Sequence, residues 1–189
     1  EKNMANLVGT RIERKEDKKF LTGKGRYTAD INLARQTHAY FVRSPHARAK
    51  ITKVDISKAS KTPGVVTILT GDDLAKDKIG GLIAGWKIVS QDGKDMKIPP
   101  HPALTKDSVN FVGDHVAVVI AETLEQAKNA AEQVNVSYKI QKAVVNTADA
   151  TSSEAIHEGI DNNLCFDFLL GDKGKTDEAF SKADKVVKL

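Results

Sequence analysis

One stretch in the middle of the chain constrains its fold more than any other. It opens with an uninterrupted apolar run of strand length at residues 116–121, and the lack of polar alternation predicts a strand that is covered on both faces. A capping box follows, in which the Thr123 hydroxyl and the Gln126 amide each satisfy a free N–H group at the start of a helix. The residues of the helix that share helical spacing form one apolar face: Leu124, Ala127, Ala130, Ala131 and Val134.

Another strand completes this stretch, because Val134, Val136 and Tyr138 alternate with polar residues. Strand, capped helix and strand within about thirty residues predict a βαβ-like unit. Its crossover is expected to be right-handed, since a helix packs back onto a twisted sheet in that hand.

Two strands are expected near the start of the ordered region. Residues 37–43 are rich in side chains that suit a pleated surface, and Ser44-Pro45 interrupts them because proline offers no donor to a ladder. Residues 49–54 predict the second strand, within hairpin reach of the first.

The next segment predicts a third strand between two short helices. The Asp55 carboxylate is expected to cap a helix over residues 56–61, because it can accept N–H groups of the first turn. Residues 65–69 predict the strand, and Thr70 begins the second helix, with Asp72 and Asp73 near its positive end.

Residues 76–103 change character, and we expect a long loop there. Glycine and proline replace the apolar periodicity, at Gly80, Gly81, Gly85, Gly93, Pro99, Pro100 and Pro102. Order is expected to resume with a strand at residues 108–112 and a turn at Gly113-Asp114.

The remainder of the chain loosens after Lys139. Residues 144–157 are expected to connect two regions, and residues 164–170 predict a strand because Leu164, Phe166, Phe168 and Leu170 alternate. Thr176 is expected to cap a helix that reaches Ala183, and residues 185–189 predict the start of a further strand. A domain that stops as a strand begins predicts a truncated polypeptide.

Charge and composition exclude some function classes. The formal charge is +4, but the lysines are dispersed among acids and no aromatic residues alternate with them, so we expect no nucleic-acid partner. No apolar run approaches the roughly 18 residues of a membrane span, so we expect no membrane partner. Residues 1–6 lack the apolar core of an export signal and the lone Cys165 has no internal disulfide partner, which predicts a cytoplasmic protein.

No residue set carries an evident chemistry. The histidines show no metal-ligand spacing and are expected to be surface or hydrogen-bonded residues: His38, His46, His101, His115 and His157. Nothing beside Cys165 in the sequence is arranged to activate its thiol, and Asp72-Asp73 is what a helix start favours. The glycines of residues 23–26 and 80–85 lack the spacing and flanking elements of phosphate loops. The residues therefore predict no catalytic, cofactor-binding or metal-binding site in this chain.

Four segments, in the same order along the chain, resemble the large subunit of the xanthine dehydrogenase, aldehyde oxidase and carbon monoxide dehydrogenase family. They are residues 20–31, 38–49, 63–74 and 111–123, the last continuing to Tyr138. The chain departs from the family's usual pattern at His115, where proline is common, and at Arg48, where histidine is common. These departures bear on the substrate subgroup and not on the family.

The resemblance implies an α+β fold whose main part is an α/β-hammerhead domain with split strand–helix–strand units. It implies an N-terminal arm at residues 1–19, the hammerhead domain at residues 20–146, and at residues 147–189 a linker with the first elements of a truncated molybdopterin-binding domain. The glycine-rich and glutamine-bearing cofactor loops, the substrate loop and the base glutamate of the family have no counterpart here. The resemblance therefore also implies that no residue of this chain is catalytic, cofactor-binding or metal-binding.

The parent enzyme implied by the resemblance oxidises CO, an aldehyde, a purine or an N-heterocycle with water. Its cofactor would be molybdopterin cytosine dinucleotide, with iron–sulfur clusters and FAD on partner subunits or domains. The partners of this chain would be the rest of the molybdenum-binding subunit and those electron-transfer parts. The fragment would scaffold them, exposing apolar surface around Leu164, Phe166 and Phe168 and tending to self-associate. The alternative is a free-standing, hammerhead-like protein-binding module.

Overall fold

The structure is a computed structural model that describes residues 8–9 and 11–188. The chain divides into a first compact unit that ends at Gln36 and a second that begins at Thr37. In the first unit, the described residues form the one-turn helix α1 at Asp17–Leu21 and a 3₁₀ turn at Thr28–Asp30. Neither element contains a buried residue, so these two elements contribute no core. Most of residues 1–10, including the segment tested for an export signal, lies outside the described residues.

The second unit contains most of the regular structure. Its strands are β1 His38–Arg43, β2 Ala49–Asp55, β3 Val65–Thr70, β4 Ser108–Val109, β5 His115–Ala121 and β6 Asn135–Ile140. Its α-helices are α2 Gly71–Lys76, α3 Leu124–Ala131 and α4 Lys173–Ser181, and its 3₁₀ turns are Ala59–Lys61, Thr147–Ser152 and Asp161–Asn163. The described strands form two antiparallel sheets of three, in the orders β1-β5-β3 and β4-β2-β6. This is the α+β class expected from the sequence.

Strand β5 lies at the centre of the core, as its apolar run predicted. Ala117, Val119 and Ala121 pack in one cluster beneath α3, with Ala127 and Ala130 of that helix. Val116 belongs to a second cluster, which contains Ala49 and Val109 of the other sheet. The expectation that β5 is covered on both faces is therefore confirmed.

The expectation of a right-handed βαβ crossover is wrong. Strands β5 and β6 flank α3, but they lie in different sheets and do not pair with each other. Both edges of β5 are already occupied, by β1 and by β3. The chain leaving α3 must therefore find its backbone partners elsewhere, and β6 pairs with β2.

The expected hairpin between β1 and β2 is also wrong, because the chain changes sheets between them. The Ser44 N–H group donates to the Asp114 carbonyl at 2.8 Å, which ties the end of β1 to the start of β5. The Ser44 hydroxyl both accepts from the His46 N–H group and donates to the His46 carbonyl. These bonds hold an open turn that redirects β2 instead of a tight hairpin loop.

Several short elements differ in length from the sequence-based expectation. The helix predicted at residues 56–61 is only the 3₁₀ turn Ala59–Lys61, although Asp55 does accept the Ser57 N–H group at 3.0 Å. The strand predicted at residues 108–112 ends at Val109, because the Asn110 N–H group donates to the Asp114 carboxylate and is lost to the ladder. Helix α4 begins earlier than predicted and is capped by Asp172, not by Thr176.

The strands predicted at residues 164–170 and 185–189 are not formed in the described residues. Residues 164–168 are nevertheless held against the long loop, since the carbonyls of Cys165 and Asp167 accept N–H groups of Lys97 and Gln91 at 2.9 Å. This loop offers no regular ladder, so the alternating side chains lack the second strand that would complete a sheet. Leu189 lies outside the described residues.

Replacing Thr123 by alanine is expected to lower the free energy of unfolding by about 1 kcal/mol. The Thr123 hydroxyl accepts the Gln126 N–H group at 3.2 Å, and the Gln126 side-chain oxygen accepts the Thr123 N–H group at 3.0 Å. The substitution removes one half of this capping box. Urea unfolding followed by circular dichroism measures the change, and Thr123→Ser, which keeps the hydroxyl, should unfold close to the parent; an equal loss in both variants would contradict the capping argument.

Candidate functional site

A cleft of about 610 Å³ opens in the second unit. Its walls come from helix α2, from residues 99–111 at the end of the long loop, and from residues 156–158. The lining includes the apolar side chains of Leu74, Ile79 and Phe111. The sequence alone gave no indication of it, because its three walls are far apart along the chain.

Helix α2 forms one wall and is fixed at its start by two carboxylates. Asp73 accepts hydrogen bonds from the Thr70 hydroxyl and the Thr70 N–H group, both at 2.7 Å, and these bonds hold the pKa of the Asp73 carboxyl below its usual range. Asp72 pairs with Lys106 at 3.0 Å, and this hydrogen bond raises the pKa of the Lys106 ammonium. Both acids lie in the first turn of α2, as expected.

The close approach of α2 to the opposite wall depends on Gly71. A Cβ atom on Gly71 would lie 2.5 Å from the Thr105 carbonyl oxygen and 2.7 Å from the Lys106 backbone nitrogen. No side chain fits at that distance. This contact has no signal in the sequence, since Gly71 stands in no turn motif.

Buried polar side chains beside the cleft are all bonded. Asp114 is 4% exposed and its two carboxylate oxygens accept the N–H groups of Asn110 and His115, at 3.0 and 3.1 Å. The buried Thr105 hydroxyl donates to the His115 carbonyl at 3.0 Å. Within residues 8–9 and 11–188, no buried side-chain nitrogen or oxygen lacks a partner. These hydrogen bonds hold the loops beside the cleft in place.

The five histidines are spread over the second unit. His101 and His157 line the cleft, whereas His46 packs edge-on against Tyr138 with ring centroids 4.9 Å apart. His115 stacks on Phe41 at 4.4 Å, and His38 begins β1. Burial raises the pKa of the Tyr138 hydroxyl, which also hydrogen-bonds with Ser44. Among the described residues, no group of three or more His, Cys, Asp or Glu is placed to hold a metal ion.

Cys165 and Gly81 make contacts that hold the long loop in place. Cys165 is half-buried, and its backbone is bonded to the long loop. Gly81 packs beside the carbonyl of His101, which accepts the Leu82 N–H group at 2.8 Å. These contacts hold the long loop folded on itself at Gly81. The prediction that the chain holds no catalytic, cofactor-binding or metal-binding residue stays a prediction.

Apolar side chains in residues 164–168 are exposed to solvent. Leu164 and Phe166 are each 41% exposed and Phe168 is 54% exposed. This confirms the expected exposure of the segment. The sequence shows Arg48 only as a departure from the family's pattern, but its side chain is only 11% exposed and contacts the segment that follows β6.

Within the described residues, no helix is both long and apolar enough to cross a membrane.

Comparison with known proteins identifies relatives along the whole chain. The family described as aldehyde oxidase and xanthine dehydrogenase, a/b hammerhead domain, matches residues 22–142. The large subunit of nicotine 6-hydroxylase from Paenarthrobacter nicotinovorans is 35% identical over 96% of this chain and 22% of its own length. The chain thus spans less than a quarter of that relative.

Solved structures agree with this match. Quinoline 2-oxidoreductase from Pseudomonas putida 86 aligns with 78% of this chain at a TM-score of 0.67 and 35% identity, over 18% of its own chain. Reconstituted CO dehydrogenase from Oligotropha carboxidovorans aligns with 94% of this chain at a TM-score of 0.71 and 30% identity, over 22% of its own chain. The chain therefore belongs to the aldehyde oxidase and xanthine dehydrogenase family, and the part of that family it carries is the a/b hammerhead domain.

Proposed function

We propose that this chain scaffolds the large subunit of a molybdenum hydroxylase and does not itself catalyse the reaction. The observation that carries the proposal is the alignment of 96% of this chain with only 22% of a hydroxylase large subunit.

The proposed organisation is an arm at residues 1–19, the hammerhead domain at residues 20–146, and a linker with the first elements of the molybdenum-binding domain at residues 147–189. The match of the hammerhead family to residues 22–142 supports the central range. The change after β6 from paired strands to 3₁₀ turns supports the second boundary.

The proposed parent enzyme uses molybdopterin cytosine dinucleotide, iron–sulfur clusters and FAD. The described residues offer no metal-binding cluster, and the whole sequence has one cysteine where an iron–sulfur cluster needs several. We place these cofactors on the rest of the large subunit and on partner subunits or domains. The parent would oxidise CO, an aldehyde, a purine or an N-heterocycle with water as the oxygen source.

The proposed partners are the remainder of the large subunit and the iron–sulfur and flavin parts, in the cytoplasm, with neither nucleic acid nor membrane involved. The exposed side chains of Leu164, Phe166 and Phe168 are the surface we assign to the remainder of the subunit. Without it, the same surface should promote self-association of the chain.

The size of the native polypeptide distinguishes this proposal from a free-standing hammerhead-like binding module. Tryptic peptides of this sequence are sought by mass spectrometry across a denaturing gel of native cell extract. The proposal predicts that they migrate with a polypeptide several times longer than this chain, as its coverage of relatives implies. Recovery of the peptides only near 20.5 kDa would overturn the proposal and favour the binding module.

A further inference from the structure

The segment after β6, residues 143–163, folds largely on itself. The Asn163 side-chain nitrogen donates to the carbonyls of Ala150 and Glu154, at 2.9 and 3.1 Å, and its oxygen accepts the Ile156 N–H group at 2.8 Å. The segment contains no strand and no α-helix, only the 3₁₀ turns Thr147–Ser152 and Asp161–Asn163. Ile160, 5% exposed, is its one buried residue. Few buried apolar contacts mark a part of low local stability.

Arg48 joins this segment to the sheets. One guanidinium nitrogen donates to the Lys142 carbonyl at 3.1 Å and the other to the Ala155 carbonyl at 3.3 Å. The same guanidinium lies 3.7 Å from the Glu154 carboxylate, and the Arg48 carbonyl accepts the Gln141 N–H group at 3.0 Å. Among the described residues, no other hydrogen bond connects residues 143–163 to either sheet.

The geometry of the Arg48 side chain suits this task. Its planar fork presents several N–H groups in fixed directions, so one side chain can hold two carbonyls that are thirteen residues apart. The Glu154 carboxylate is 76% exposed at its side chain, so its ion pair with Arg48 contributes little. The bond to the Ala155 carbonyl therefore carries most of the connection, and the bond to the Lys142 carbonyl holds the guanidinium beside the start of the segment.

Part of this segment lines the cleft. Residues 156–158 form one wall of the cleft, and residue 156 directly follows the Ala155 carbonyl that Arg48 holds. Releasing this bond frees that wall while both sheets keep their own ladders. We propose that residues 143–163 are a strap that opens and closes one side of the cleft, and that Arg48 is its latch.

Hydrogen exchange of the 189-residue chain, read by mass spectrometry, tests the latch. Arg48→Met keeps an unbranched side chain but removes all guanidinium donors. The hydrogen-bonded amides of this segment are expected to exchange at least about tenfold faster in this variant, as the loss of charge-assisted hydrogen bonds implies; they are Ala148, Asp149, Ser153, Ile156 and Ile160. Amides of β5 and α3 should exchange as in the parent. Arg48→Lys, which can hold one carbonyl at a time, is expected to give an intermediate rate.

Arg43→Met is the matched control, because Arg43 is exposed and its guanidinium donates to the Gly113 carbonyl, away from the strap. This variant should leave exchange in residues 143–163 unchanged. Parent-like exchange of the strap in Arg48→Met would overturn the proposal. Equal acceleration in β5, or failure of the variant to fold, would also overturn it, because a latch can be removed without loss of the sheets.

Discussion

Replacing Asp114 by alanine is expected to lower the free energy of unfolding by about 3–5 kcal/mol. The carboxylate is 4% exposed and accepts the N–H groups of Asn110 and His115. Alanine leaves both donors without their partner in a region with little access to water, and each unsatisfied group is costly. Urea unfolding of the purified variant measures the loss.

Asp107→Ala is the matched control for this substitution. Asp107 is exposed, and only its backbone carbonyl accepts a hydrogen bond, from Ile51. The control is expected to change the free energy of unfolding by less than about 0.5 kcal/mol, as surface substitutions do. Asp114→Asn keeps one acceptor oxygen and should fall between the two. A loss below about 1 kcal/mol in Asp114→Ala would contradict the structural role of the carboxylate.

Replacing Gly71 by alanine is expected to lower the free energy of unfolding by about 1–3 kcal/mol, the usual cost of forcing extra volume into a packed site. The new Cβ atom would lie 2.5 Å from the Thr105 carbonyl oxygen, and the atoms in the way are backbone atoms that cannot rotate aside. Helix α2 must therefore move away from residues 105 and 106. Thermal and urea unfolding of the variant measure the effect.

Gly80→Ala serves as the control because a Cβ atom there would meet no atom within 4 Å. Alanine at this loop position should leave stability unchanged or raise it slightly by restricting the unfolded chain. If the two glycine variants unfold alike, the close approach at Gly71 does not limit stability, and the described contact between α2 and residues 105–106 is wrong.

The parts of the fold that the sequence predicted are those governed by local patterns. The apolar run of β5 and the capping box at Thr123 and Gln126 each have a signature within a few residues, and both were placed correctly. The capping box at Thr70 and Asp73 is equally local. Patterns of this kind identify an element as a strand or a helix, because they depend only on residues that are neighbours along the chain.

Which strands pair depends on which strand edges are already occupied by other strands. No local sequence pattern shows this. Strand β6 was assigned to the sheet of β5, yet β1 and β3 occupy both edges of β5. The alternation of Leu164, Phe166 and Phe168 likewise identified apolar side chains correctly without supplying a partner strand. Alternation predicts which side chains share a face of a strand. It does not identify the strand that would pair with it.

The hydrogen bonds that Asp114 and Arg48 make also cannot be predicted from local patterns. Asp114 was taken only as a turn residue, because its acceptance of two N–H groups is visible only once the turn is folded. Arg48 was noted as a departure from the family, but its partners Lys142 and Ala155 lie about one hundred residues further along the chain. Long-range hydrogen bonds of this kind leave no spacing in the sequence.

The most direct test of the scaffold account is the molybdenum and pterin content of the purified 189-residue chain, by elemental analysis and by fluorescence of the oxidised pterin. The chain is to be produced in a host that makes molybdopterin cytosine dinucleotide, so that the cofactor is available to it. The account predicts neither component, because it assigns the molybdenum cofactor to the rest of the large subunit. Molybdenum and pterin each near one per chain would contradict it and would place cofactor binding on these residues.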